Sequence, residues 1–215
     1  MTKILIGLPC MDSVPTSFMQ SLINLDTDIP DASVDVTVIQ NTLIDIARNQ
    51  ISESAIAGDY DYLCYIDSDM TFDADLLKRL LESIRDKDFI TGLYFGRRPP
   101  YRPQICSHIS AEVVNGEIHP DTKQYWDYPE DSMFQIEACG FGACLINVDM
   151  LAKLWEQFGM PFCPAFGFGE DYSFCLRAKQ AGYKLYCDST IKLGHVMHTV
   201  VDEQMYKVSR SLRGA

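Results

Sequence analysis

The sequence predicts an α/β fold built on a central, mostly parallel sheet flanked by helices. Apolar runs at residues 3–8, 34–39 and 62–66 alternate with helical spacing at 16–25 and 43–55, an opening βαβαβ. Such an order builds parallel strands joined by right-handed crossovers. The third run stops abruptly at Asp67-Ser68-Asp69, which puts two carboxylates where a strand meets a loop. In open α/β sheets that edge is where ligands bind.

The composition bounds the fold. A chain of 215 residues with 47% hydrophobic content can build one sizeable core. The expected organisation is a single domain over 1–200 and a helical tail over 201–215, where 202–212 is amphipathic. The apolar runs are far shorter than the roughly 20 residues of a membrane span. Met1-Thr2-Lys3 leads straight into a strand with no signal pattern, so the expected setting is cytoplasmic. The eight cysteines lie mostly inside apolar runs and read as reduced core residues. Cys139 and Cys144 lack the spacing and the second pair of a zinc knuckle. A net charge of -12 argues against nucleic acid as a partner; the one local basic stretch is Arg97, Arg98 and Arg102.

Taken in order, the first strand ends at Pro9-Cys10, and Thr16 or Ser17 opens a helix. Pro30-Asp31 turns the chain into the second strand. Leu43, Ile44, Ala47, Ile51 and Ala55 mark the second helix, which Gly58 stops. The third strand follows at 62–66. Asp73 is the expected cap of a helix over 74–84, and 89–95 reads as a strand. The stiff loop 96–103 precedes a hairpin, 104–109 with 111–118, turning at Asn115-Gly116. Residues 119–133 show little periodicity and read as a loop whose Tyr125, Trp126 and Tyr128 either stack on a sugar or pack the loop down. Strands are expected at 134–138 and 143–148, separated by 139–142, whose Gly140 and Gly142 allow close approach of backbone to a ligand or a bulge. Asp149 is the expected cap of a helix to Phe158. A Gly, Pro and Phe loop at 161–168 leads to Gly169-Glu170-Asp171, a helix over 172–181 and a strand over 184–186. Gly194-His195 closes the patterned part.

In extended backbone Asp67 and Asp69 point to one side, so they can hold a hard cation between them. A calcium loop is excluded: Phe72 stands where the loop needs Gly, and Lys78 where it needs a bidentate Glu. Arg48 and Asn49 sit in the second helix. Arg48 faces either water or the strand ends, where its planar fork suits a diphosphate.

The βαβ opening, Tyr-Ile-Asp-Ser-Asp at 65–69, Gly-Glu-Asp-Tyr-Ser-Phe-Cys-Leu-Arg at 169–177 and the late Gly-His together resemble the GT-A fold nucleotide-sugar glycosyltransferases, family 2-like, in their short single-domain form found in phages, large DNA viruses and bacteria. The resemblance covers about residues 3–198. It implies a Rossmann-like GT-A fold and a hexosyltransferase that takes a nucleotide-sugar, UDP-sugar being the commoner donor, and a glycan or other hydroxyl acceptor. It implies that Asp67 and Asp69 hold Mn²⁺ or Mg²⁺, Asp69 more directly, with Ser68 between them. His195 matches a late histidine that is sometimes a third ligand, and His198 is a further candidate. Asp171 matches the general base of inverting members, with Glu170 contacting the acceptor; both also suit a helix N-terminus. Main chain at Pro9 and Cys10 would meet the nucleobase, and Arg48 and Asn49 the diphosphate or ribose. The arginine loop and the aromatic segment lie in the acceptor or lid region.

Asp67-Ser68-Asp69-Met70-Thr71 also satisfies the nucleophile motif of haloacid-dehalogenase-like phosphatases. Those place it on the first strand, and no matching downstream Lys and Gly-Asp-x-x-x-Asp set is present. A non-catalytic nucleotide-sugar-binding module is the third reading, against which both acidic motifs stand intact.

Overall fold

The computed structural model of the protein describes residues 1–197. The tail expected at 201–215 and His198 lie outside the described residues. The opening is β1 (Thr2–Cys10), α1 (Thr16–Asn24), β2 (Ala32–Gln40), α2 (Ile44–Ala57) and β3 (Tyr62–Ile66). Next come β4 (Met70–Thr71), α3 (Leu76–Ile84), β5 (Phe89–Leu93), β6 (Ile105–Val114) and β7 (Glu117–Gln124). The chain continues through β8 (Met133–Ile136), β9 (Ala138–Cys139), β10 (Ala143–Asn147), α4 (Val148–Phe158), α5 (Glu170–Gln180), β11 (Leu185–Lys192) and β12 (Gly194–His195).

A seven-stranded sheet runs in the order β2-β1-β3-β10-β5-β11-β8. β1 is parallel to β2 and β3, and β11 is parallel to β5, whereas β10 is antiparallel to both β3 and β5 and β8 antiparallel to β11. Thus β2, β1, β3, β5 and β11 share one direction, and β10 and β8 oppose it. The sheet is mixed and mostly parallel.

Its inner strands β1, β3, β5 and β10 are mostly apolar and buried because both faces are covered. In β1, Ile4, Ile6 and Leu8 join one buried cluster, with Phe18 of α1 and Leu76, Leu77 and Leu80 of α3. Leu5 joins the other, with Ile51 of α2, Leu151 of α4 and Phe174 of α5. β3 divides the same way: Cys64 and Ile66 on the first face, Leu63 and Tyr65 on the second. Period-two alternation thus survives inside an apolar run, each residue choosing a face.

Several boundaries differ from expectation, each for a local reason. β7 extends to Gln124, so the unpatterned stretch is shorter than 119–133. That strand is exposed over nearly its whole length and contains Pro120, so no buried face imprints an alternation. Its turn is where expected: Asn115 and Gly116 have φ of 53° and 83°, the left-handed pair a tight hairpin requires. Asp73 is not a side-chain cap. Helix α3 begins after Asp75, and the Asp73 carbonyl accepts from Leu76 N at 3.1 Å. Nor does Asp149 cap α4; the Asn147 side chain does, accepting from Asp149 N at 2.8 Å. Helix α5 starts at Glu170, so the acidic pair forms its first turn. β11 continues through the polar 188–190 because Asp188 is satisfied internally, by Ser83 Oγ at 2.6 Å and by Thr190 N at 2.9 Å. All eight cysteines are free thiols. Among the described residues no helix is long and apolar enough to cross a membrane.

Gly7 sets how closely α2 approaches the sheet. A Cβ there would overlap Ile51 Cγ2 and lie 3.3 Å from Leu63 Cδ1. Both neighbours are fully buried, so neither has space to retreat. Gly7→Ala should therefore destabilise the protein by about 1–3 kcal/mol, the usual cost of overpacking, lowering the urea midpoint at an unchanged slope. An unmoved midpoint would mean that α2 yields freely.

Candidate active site

The site forms at the end of β3. Asp67 N donates to the Gly142 carbonyl at 2.9 Å, which ties the strand end to the segment before β10. Beyond it, β4 pairs antiparallel with β12, setting His195 opposite Met70 and Gly194 opposite Thr71. Val196 N adds a bond to the Asp69 carbonyl at 2.8 Å. Gly194 is what lets this short ladder close, because a Cβ there would overlap Thr71 Oγ1. The ladder carries His195 across 126 residues of sequence to Asp69, with Nε2 at 3.3 Å from Asp69 Oδ2.

The other ring nitrogen decides the state of that contact. Nδ1 lies 2.8 Å from the Phe95 carbonyl, which only accepts, so Nδ1 bears a hydrogen. Nε2 in the neutral ring is then a lone pair aimed at a carboxylate, an arrangement that calls for a proton or a cation between them. Burial would lower the His195 pKa, but the bonds to Asp69 and Phe95 outweigh it and raise it. Asp69 also pairs with Arg97 Nη1 at 3.0 Å. Burial pushes its carboxyl up, yet His195 and Arg97 together hold it below the usual value.

Asp67 has a different partner. Arg48 projects from α2, 2% exposed, and donates from Nη2 to Asp67 Oδ1 at 2.8 Å and Oδ2 at 3.2 Å. Its Nε reaches Glu170 Oε1 at 3.4 Å, a long contact. The guanidinium lies over the Tyr65 and Phe141 rings, at 5.3 and 5.1 Å. Its own carbonyl accepts from Tyr65 Oη at 2.6 Å and Ser52 Oγ at 2.8 Å. Burial would lower the Arg48 pKa, but Asp67 and Glu170 more than restore its charge. The fork expected near a diphosphate thus turns its Nη2 and Nε to the two acidic motifs, and its Nη1 has no hydrogen-bond partner among the described residues. Asn49 is also occupied internally: its amide donates to the Asp45 carbonyl at 2.8 Å and accepts from Phe162 N at 3.1 Å.

The second acidic motif closes the site. Asp171 Oδ1 accepts from Tyr172 N at 2.7 Å, and Oδ2 lies 3.6 Å from where a Gly140 Cβ would stand. That same Cβ would overlap the Tyr94 hydroxyl, so Gly140 makes room for tyrosine and carboxylate together. At Gly140 and Gly142, where the sequence allows approach to a ligand or a bulge, the group that comes close is the Tyr94 side chain. Burial first, and the charge of Glu170 second, push the Asp171 carboxyl up to about 6. Tyr94 itself was legible only as the end of a buried strand. It is 6% exposed, its ring meets His195 edge-on at 5.4 Å, and burial with the charges of Asp67 and Asp171 holds its hydroxyl protonated.

Pro9, Cys10, Asp67, Ser68 and Asp69 line one cleft of about 200 Å³, together with Thr42 and Ile44. Of the residues expected around a nucleotide, Arg48 and Asn49 fall outside its lining. Tyr125 and Tyr128 pack on Phe134, at 5.4 and 6.4 Å between ring centres, while Trp126 is half exposed. The two tyrosines thus pack their loop down. Among the described residues no group of three or more His, Cys, Asp or Glu side chains is arranged to hold a metal ion.

No sequence family matches the chain, and no curated protein matches it in sequence. Solved structures do match. A197 from STIV superposes with a TM-score of 0.60 at 19% identity, over 92% of this chain and 87% of that one. GalNAc-T7, solved with UDP, GalNAc and Mn²⁺, superposes with a TM-score of 0.59 at 12% identity, over 92% of this chain and 43% of that one. The fold is GT-A. In GT-A terms the acidic motif at the end of β3 and the first turn of α5 face one another across the carboxyl edge of the sheet, with Arg48 between them.

Removing that arginine leaves Asp67 without its counter-charge. Arg48→Met should cost about 3 kcal/mol, the lower end for a broken buried pair because the Asp67 side chain is 24% exposed. Arg48→Met with Asp67→Asn should recover part of the loss in urea denaturation. A double variant whose loss equals the sum of the losses of Arg48→Met and Asp67→Asn would show that the pair is not coupled.

Proposed function

We propose that the protein is a metal-dependent glycosyltransferase that moves a hexose from a nucleotide-sugar, UDP-sugar favoured, to an acceptor hydroxyl. The observation that carries this is the Asp69–His195 pair, brought together by the β4–β12 ladder beside the cleft at Pro9 and Cys10. GalNAc-T7, which shares the fold, was solved with UDP and Mn²⁺.

The donor set suits Mn²⁺ or Mg²⁺ in part. Asp69 and His195 would hold the ion, and an imidazole favours Mn²⁺. Asp67, expected as a ligand, has both oxygens engaged by Arg48 and would act by fixing the strand end. Cations bound through one or two protein groups usually complete their shell with substrate phosphates and water. When bound, the ion would supply Lewis-acid stabilisation of the charge on the leaving diphosphate.

The chain's own part centres on Asp171. A carboxylate near 6 is ionised at neutral pH yet basic enough to take the proton of an acceptor hydroxyl as it attacks the anomeric carbon. That assignment belongs to an inverting reaction. Glu170 helps set the basicity through its charge, and Arg48 keeps Glu170 and Asp67 in register. The phosphohydrolase alternative needs Asp67 as a nucleophile. Arg48 Nη2 on both its oxygens and its place at the end of the third strand in the chain weigh against it.

Two results follow. A panel of UDP-, GDP- and dTDP-sugars should show Mn²⁺-dependent nucleotide release from one donor class, with Asp69→Asn raising the Mn²⁺ requirement by about 10-fold or more. Binding of none of them would sink the reading. With the accepted donor, kcat/KM should fall about tenfold per pH unit below about 6, as Asp171 takes up a proton and ceases to be a base. Asp171→Asn should lower transfer by about 100-fold or more while leaving donor binding intact; undiminished transfer removes Asp171 as the base.

A further inference from the structure

A larger cavity of about 730 Å³ is lined by Arg97, Arg98, Arg102, Gln104 and His195 among others, and Arg97 and His195 both contact Asp69 of the small cleft. The two cavities share no lining residue. The loop that supplies the arginines is closed on itself: Gly96 N donates to the Arg102 carbonyl at 2.8 Å and Tyr101 N to the Arg98 carbonyl at 2.8 Å. Phe95 bridges Pro103 at its base. The three guanidinium groups are therefore carried by one short, internally bonded loop.

In a chain of net charge -12, arginines have many carboxylates to choose from. Arg97 takes Asp69. Among the described residues, Arg98 and Arg102 have no carboxylate within 4.0 Å. Two exposed guanidinium forks with no counter-charge among the described residues, lining a cavity whose Arg97 and His195 contact Asp69, favour a ligand group with paired anionic oxygens. We propose that this cavity binds the acceptor, and that the acceptor is a saccharide carrying a phosphate or carboxylate group, held by Arg98 and Arg102. This rests on the transferase reading and adds the chemical class of the acceptor. A long polynucleotide, which also offers phosphates, would have to lie along an acidic surface.

The test uses the full chain with glucose 6-phosphate, glucuronate and glucose as probes, by calorimetry at low ionic strength, with and without UDP and Mn²⁺. The anionic sugars should bind about 10-fold or more tighter than glucose, as charge-assisted bonds require, and should still bind when UDP and Mn²⁺ are present. In R98Q/R102Q that preference should disappear while UDP–Mn²⁺ affinity stays within about 2-fold. The difference between glucose 6-phosphate and glucuronate names the anion. Glucose binding as well as its charged analogues, or a preference that persists in R98Q/R102Q, overturns the proposal. So does displacement of the anionic sugars by UDP, which would assign the arginines to the donor's diphosphate, and tighter binding of a short oligonucleotide than of any sugar. Arginine-dependent binding of anionic sugars by a chain that binds no nucleotide-sugar would leave this cavity standing and remove the transferase reading instead.

Discussion

One buried guanidinium holds the two halves of the candidate site together. Arg48 receives its position from α2, its packing from the Tyr65 and Phe141 rings, and its counter-charges from Asp67 at the end of β3 and Glu170 at the start of α5. Taking a guanidinium out of water is costly, and its attraction to two carboxylates offsets that cost only if both stay in place. The arrangement couples segments 122 residues apart in sequence. Nη1 has no hydrogen-bond partner among the described residues, so the fork is only partly satisfied; its lie over aromatic faces compensates in part.

Around that centre, small residues decide how near things come. Gly7 admits α2, Gly194 admits the β4–β12 ladder, and Gly140 admits Tyr94 beside Asp171. Each is a place where one backbone presses against a side chain, so the chemistry-bearing groups stand on close-packed supports rather than on free loops. The ladder matters most for the site, since it sets His195 beside the carboxylate that follows β3, with the Phe95 and Asp69 carbonyls holding the same segment.

What was legible in the residues follows from burial. β1, β3 and β10 are apolar because helices cover both faces, and β3 ends where its carboxylates begin, so strand and motif could be read together. β7 was invisible because its exposed residues carry no periodic imprint. The caps at Asp73 and Asp149 were misplaced because an aspartate before an apolar segment resembles a cap whether or not its side chain reaches an amide; Asp75 and Asn147 occupy those positions. Arg48 and Asn49 could be placed near the site, but not aimed. Their direction depends on how α2 rotates against Gly7, Tyr65 and Phe162, contacts that no local pattern encodes. Tyr94 was hidden for the opposite reason: a tyrosine closing a buried strand looks like core, and only the glycines beneath its hydroxyl reveal that it stands between the two acidic motifs.

The distribution of charge then separates the carboxylates by task. Asp69 meets two cationic groups, His195 and Arg97, and sits below the ordinary carboxylate range. Asp171 is more buried from charge: its neighbour Glu170 repels it, Arg48 is already shared between Glu170 and Asp67, and its carboxyl rises to about 6. When the environments of nearby acids drive their pKa values apart, the two acids suit different chemistry. The one that stays ionised is fitted to hold a positive charge, and the one that titrates near neutrality is fitted to exchange a proton. Arg48 maintains that difference because it neutralises Asp67 and steadies Glu170 without reaching Asp171 in a hydrogen bond. Were the guanidinium aimed instead at Asp171, the carboxyl best placed to accept a proton would lose the basicity to do so.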